Sequence, residues 1–208
     1  MIYLCFWNQK FKTMGNLNDL LSELNATSSE ADIKRVFEEI AEILLFNSHI
    51  ETATGKYRIL EIEFYFKNDN HKDNITIART EYSGMWWLHD YGVDLTFESD
   101  ETKNFYGGIL LRSMISINEN DNNNEFYGPR ICCWELFYSS ALEKNSTPHI
   151  IINDKKNSFD GTLEKTQRYI TRKPKPEDGN YRNSPYRFYV KGLNLHVESK
   201  YKKASPWK

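Results

Sequence analysis

The 208-residue chain has three cysteines, and they cannot build a disulfide framework: Cys132 and Cys133 are neighbours and Cys5 is remote. Thiols in a reducing compartment are the simple reading. No C-x-x-C or H-E-x-x-H spacing occurs and the five histidines are scattered, so no metal site is expected. The longest apolar run near the start, Ile2 to Trp7, is too short for a secretory or membrane segment, and the basic Lys10 and Lys12 follow it rather than precede it. A cytoplasmic protein without membrane contact is the expectation. There is no internal repeat, and no low-complexity linker long enough to divide the chain.

What is present fits a soluble globular domain: 39% apolar and 27% charged residues, with aromatics high at 14%. The formal net charge of −2 hides an asymmetry, since residues 151–208 carry a net +8 and residues 1–150 a net −10. A basic final quarter suits either phosphate contacts or a solvated lysine-rich tail.

Periodicity outlines the elements. Leu17, Leu20, Leu21 and Leu24 recur at helical spacing in Asn16–Asn25. Thr27 with Glu30 reads as a capping box for a helix over Ala31–Phe46, whose apolar face is Ile33, Val36, Phe37, Ile40, Ile43 and Leu44. Tyr57–Phe66 alternates as a strand, with Leu60, Ile62, Phe64 and Phe66 on one side and Tyr57, Ile59, Glu61, Glu63 and Tyr65 on the other. Met85–His89 and Val93–Glu98 flank a turn at Tyr91–Gly92. Ile109–Ile117 is an apolar strand interrupted by Arg112, and Gly128–Pro129 precedes a helix-like segment from Ile131 to Leu142. Loops are expected from there to about residue 163, and Tyr186–Val190 and Leu195–Val197 form two short strands. Helices first and strands after predict an α+β fold: a single compact domain over residues 16–200, a curved antiparallel sheet with flanking helices. Residues 1–15 form a leader and 201–208 a basic tail.

Two glutamates on one side of a strand are expensive to bury, so Glu61 and Glu63 point either to a wet cleft or to a solvent-facing sheet edge. Like charges at that separation push one carboxyl's pKa up, which suits acid–base work near neutrality. Arg112 in so apolar a strand needs a carboxylate or a bound phosphate.

Arg58-Ile59-Leu60-Glu61-Ile62-Glu63-Phe64-Tyr65 resembles the R-I-V-E-T-E-A-Y strand of the alkyladenine (3-methyladenine, methylpurine) DNA glycosylases. Further resemblances follow in order: the Asp69–Asp73 loop with His71, Tyr91-Gly92, Gly108 to Arg112 (A-C-V-L-L-R), Gly128-Pro129, Thr166 to Ile170 (T-P-R-I-G-I) and Pro185 to Val190 (P-W-R-F-Y-V). Together they run from about residue 31 to 199. The resemblance implies a methylpurine-DNA-glycosylase-like fold and a monomeric, cofactor-free hydrolase of base excision repair. Such an enzyme flips a damaged purine nucleotide out of double-stranded DNA. By the same resemblance Glu63 activates the water, and Arg112 holds a phosphate or orients glutamate and water. Tyr65 and His71 sandwich the base, and Tyr91 fills the gap in the stack. Arg168, Arg172, Lys173 and Arg182 are the expected backbone footprint.

The chain also departs from the pattern. The basic loop after His71 is cut to Lys72–Gly84, Leu88 stands at a second stacking tyrosine beside Trp87 and His89, and Glu98 replaces a guanine-excluding asparagine. An ionised Glu98 accepts hydrogen bonds, so it would favour a guanine amino group that asparagine rejects, unless it pairs with Arg112. Two other readings remain: a non-catalytic nucleotide- or nucleic-acid-binding protein of the same fold, and a hydrolase of free nucleosides or RNA. Retention of Glu63 speaks against the first, and the mild overall charge suits the second.

Overall fold

A computed structural model describes residues 15–118, 124–139, 147–154 and 158–192. The expected leader, the strand Leu195–Val197 and the basic tail lie outside these. Two helices come first, α1 (Gly15–Glu23) and α2 (Glu30–Phe46). Nine strands follow: β1 (Ser48–Glu51), β2 (Lys56–Lys67), β3 (Trp86–His89), β4 (Gly92–Thr96), β5 (Tyr106–Ser116), β6 (Glu125–Tyr127), β7 (His149–Ile152), β8 (Thr162–Thr166) and β9 (Arg187–Lys191). A short helix α3 (Pro129–Cys133) runs on as a π-helical turn, Trp134–Ser139. All nine strands join one curled antiparallel sheet of order β3-β4-β5-β2-β1-β7, with β6 added to β5, and β9 to β2 with β8 beyond it. The fold is thus α+β. The sequence misses β1, β6, β7 and β8, strands of three to five residues that are too short to show a clear period. No helix among the described residues is long and apolar enough to cross a membrane.

The first two helices bury their leucine and isoleucine stripes against one face of the sheet. Phe37 of α2 stacks on Phe64 of β2 with ring centroids 4.4 Å apart, and Phe97 and Tyr186 complete the cluster. The capping box of α2 lies two residues beyond the expected one. Ser29 Oγ accepts from Asp32 N at 3.2 Å and Asp32 Oδ2 accepts from Ser29 N at 3.1 Å. The Thr27 hydroxyl is engaged elsewhere, donating to Asn25 Oδ1 at 2.8 Å. A carboxylate at the third position works as well as glutamate because it reaches the same backbone N–H and favours the positive end of the helix.

The facing pattern of β2 also differs from simple alternation. Ile59 lies opposite Met114 of β5, Glu61 opposite Ser113, and Ile62 opposite Leu111, so Leu60 and Arg112 each bulge out of the ladder. A bulge reverses which parity points inward. Tyr57 and Ile59 therefore join Ile62, Phe64 and Phe66 in the main core, whereas Leu60 packs with Ile115 in a separate cluster on the other side. From Glu61 on, Glu61, Glu63 and Tyr65 lie on the face away from α2. That face carries the polar site.

Candidate active site

Behind the sheet a cavity of about 700 Å³ opens between β2, β4, β5, the start of α3 and the segment after β8. Tyr65, His89, Asp94, Leu110 and Arg112 of the sheet line it, with Ile75, Ile77 and Arg79 from the loop after β2. Tyr91, Ile131 and Tyr169 stand at its edge with 57%, 54% and 46% of their surfaces exposed. The volume and the mixture of isoleucines, aromatic rings and a few fixed charges suit a small organic ring system.

Glu63 lies directly behind this wall and has no exposed surface. Three wall residues hold its carboxylate: Tyr169 N donates to Oε1 at 2.6 Å, the Tyr65 hydroxyl donates to Oε2 at 2.8 Å, and Arg112 forms an ion pair with it, Nη1 lying 3.1 Å from Oε1. A carboxylate has about four acceptor positions, so one remains for a further donor such as water. Burial, and next the negative charge of Glu63, push the Tyr65 hydroxyl well above its usual pKa, so it stays protonated and donates.

Glu61 belongs to the same network. Its Oε1 accepts from Arg112 Nε at 3.0 Å and from Arg187 Nε, and its Oε2 accepts from Ser113 at 2.6 Å. Arg187 is directly opposite Glu63 on β9. Two arginines therefore balance two glutamates, so the expected mutual repulsion of the glutamates is offset. The bulge at Arg112 turns its side chain toward the carboxylates, a use for irregular backbone that strict alternation cannot supply. Buried charges persist only when paired and hydrogen-bonded in this manner.

The structure brings Glu63, Arg112, Tyr65, Tyr91 and Arg172 to the cavity. His71 is corrected: it is fully buried in the loop after β2 and does not line the cavity. Its Nδ1 meets the Phe66 carbonyl oxygen at 2.8 Å and its Nε2 the Tyr186 hydroxyl at 2.9 Å, and it packs against Tyr181. Desolvation lowers its pKa, as fits a neutral core imidazole rather than a stacking platform. Glu98 is corrected too. It lies past the end of β4 beside α1, where its Oε2 accepts from Ser83 N at 3.0 Å and its own N donates to Leu21 O at 2.9 Å. It touches neither the cavity nor Arg112.

The expected phosphate footprint also changes. Arg168 is internal, bound through both terminal nitrogens to Asp73 and donating to the carbonyls of Phe64 and Tyr181. Arg172 and Arg182 share Asp178, whose carboxyl their hydrogen bonds, that of Arg172 foremost, hold down at about 2. Arg182 also donates to the carbonyls of Ile170 and Arg172. These three arginines shape the 168–184 segment. Lys173 is exposed.

Sequence reasoning missed Arg79, Asp94, Tyr169 and Arg187 as site residues. Arg187 falls within the segment Pro185 to Val190, and Asp94 stands between the apolar Val93 and Leu95 in its strand. Arg79 carries no local signal, because its partner is reached only by folding. Among the described residues no group of His, Cys, Asp and Glu could hold a metal ion. Cys132 and Cys133 are free thiols in α3, and burial pushes both upward in pKa. No protein-family model matches the sequence, and no curated protein matches it.

Proposed function

We propose that the chain is a monofunctional glycosidase that hydrolyses the N-glycosidic bond of a damaged purine nucleotide flipped out of double-stranded DNA. The observation that carries this reading is the fixed, buried Glu63 carboxylate, held by Arg112, Tyr65 and Tyr169 immediately behind a cavity of ring-binding character. The resemblance of the β2 motif to alkyladenine DNA glycosylases supports it further.

In the reaction Glu63 accepts a proton from a water molecule as that water's oxygen bonds to C1′. The C1′–N bond breaks and its electron pair leaves with the base. An N-alkylated purine carries a positive charge, so it departs neutral and needs no added proton. Arg112 holds Glu63 in place and aims it, while Tyr65 and His89 supply ring faces in the cavity. Tyr91, at the tip of the β3–β4 hairpin, is exposed enough to enter the vacated position in a base stack.

A second reading is a protein of the same fold that binds a nucleotide without cleaving it. The observation favouring it is that Glu63 has no exposed surface while the Tyr65 hydroxyl covers Oε2. A third substrate context, free nucleosides or RNA, is favoured by the inward turn of Arg168 and Arg182, which leaves less cation for a duplex. One experiment separates these. Duplexes, RNA strands and nucleosides carrying alkylated purines are incubated with the full chain and scored for released base and abasic sugar. Base release from the duplex is expected. Release from RNA or nucleosides alone moves the substrate, and binding without release from any of them leaves a binder.

A further inference from the structure

The lining of the cavity has a second charged group, built from Arg79, Asp94 and His89. Arg79 Nη1 donates to Asp94 Oδ2 at 2.9 Å, and its Nε donates to Ile77 O at 3.2 Å. The guanidinium lies 3.8 Å from the Trp87 ring centroid. Asp94 Oδ1 accepts from His89 Nε2 at 3.0 Å, and His89 Nδ1 accepts from Tyr91 N at 3.3 Å. The two side chains of the ion pair are 3% and 4% exposed. Gly108 on the adjoining strand makes the room: a Cβ there would lie 2.6 Å from Arg79 Nη1 and 2.9 Å from Asp94 Oδ2. The pair is therefore a fitted part of the wall and not a chance surface contact.

Within this group Arg79 Nη2 has no hydrogen-bond partner among the described residues, although Arg79 lines the cavity. That nitrogen is not among the buried unpartnered atoms, so it meets the solvent of the cavity, and a ligand that displaces this water has to bring an acceptor in its place. Its charge environment says which acceptor. Arg79 is matched by Asp94, whose carboxyl stays ionised despite burial because Arg79 and His89 hold its pKa down. The charges of Arg79 and Asp94 cancel, so this pair leaves nothing over to offset the desolvation of a phosphate. A neutral carbonyl oxygen is suited to it, and an amino group would set donor against donor.

We infer that Arg79 is a specificity-determining residue of the cavity, donating through Nη2 to a ring carbonyl, and that it selects purines with an oxygen at carbon 6 over those with an amino group there. This rests on the purine-binding reading given above and assigns base selection to a residue other than Glu98. Arginine suits the oxygen edge of guanine for the same reason in the DNA major groove, where guanine offers only acceptors. A site that pairs a polar group of one ring and leaves it unpaired with another separates the two by at least about tenfold.

The test uses three 2′-deoxynucleosides that share a 2-amino group and differ at carbon 6 and, for the first, in the proton that its 6-oxo form carries on N1: deoxyguanosine, 2-aminopurine deoxyriboside and 2,6-diaminopurine deoxyriboside. Their binding to the full chain is measured at equilibrium by calorimetry. The expected order is oxo above hydrogen above amino, with about tenfold or more between the extremes. Arg79→Lys keeps a cation for Asp94 but removes Nη2, and is expected to bring the extremes within about threefold. Equal binding of all three by the wild type overturns the inference while leaving the purine cavity intact, as does a full preference retained in folded Arg79→Lys. Should that variant fail to fold, the wild-type order alone decides. If none of the three binds, the purine reading fails and takes the inference with it.

Discussion

The Tyr65 hydroxyl lies 2.8 Å from Glu63 Oε2, two residues away on the same side of β2. This is the geometry that strand alternation produces, and it makes one residue both a wall of the cavity and a clamp on the carboxylate behind it. Tyr65→Phe keeps the ring and removes the clamp. A hydrogen bond to a charged group contributes about 1.5–3 kcal/mol, so a loss of that order is expected in urea unfolding. Nucleoside binding should change little. An unaltered midpoint would show that the hydroxyl does not hold Glu63.

Arg168 and Lys173 are expected to separate cleanly, although the sequence alone offers both as phosphate ligands. Arg168 is buried against Asp73, with Nη1 2.6 Å from Oδ2, so Arg168→Met leaves a buried carboxylate unpaired. The expected destabilisation is about 3–5 kcal/mol, the usual result of removing one partner of a buried pair. Lys173→Ala should stay within about 0.5 kcal/mol of wild type, as exposed substitutions do, and should lower DNA affinity and its salt dependence instead. Thermal unfolding and a binding titration at two salt concentrations check both. A stable Arg168→Met with a flattened salt slope would return Arg168 to the DNA surface.

His71 supplies a pH dependence. Its folded pKa lies below the ordinary 6.5, chiefly through burial. Below that value the unfolded chain binds a proton that the folded chain does not, so stability rises with pH across the window and falls as pH drops beneath about 6.5. The melting temperature should therefore decline between pH 7 and pH 5.5, and less steeply in His71→Gln. An equal slope in both proteins would contradict a neutral core histidine.

Much of this architecture can be read from the chain because it depends on local period. The stripes of α1 and α2, the long alternation of β2 and the Tyr91–Gly92 turn all carry their own signals. Leu60 is where that reading breaks, because a bulge leaves the composition of a strand unchanged while reversing its facing. The site follows the same division. Glu63 and Tyr65 are legible as same-side neighbours, and Arg112 as a cation that needs a partner. His71 and Glu98 are legible only as residue types in a loop and at a strand end, where resemblance assigned a place that packing did not. Arg79 meets Asp94 from 15 residues away, and Arg168 meets Asp73 from 95. Such pairings are properties of the folded chain.

Glu61 and Glu63 share Arg112, yet different outcomes are expected when each loses its charge. Glu61 accepts from two arginines and Ser113, so Glu61→Gln should appear first as lost stability. The most direct measurement is single-turnover base release by folded Glu63→Gln from a duplex carrying an alkylated purine, with binding to the same duplex followed in parallel. Release is expected to fall by at least about 10²-fold with binding nearly unchanged, as for a general base. Release at the wild-type rate would contradict it.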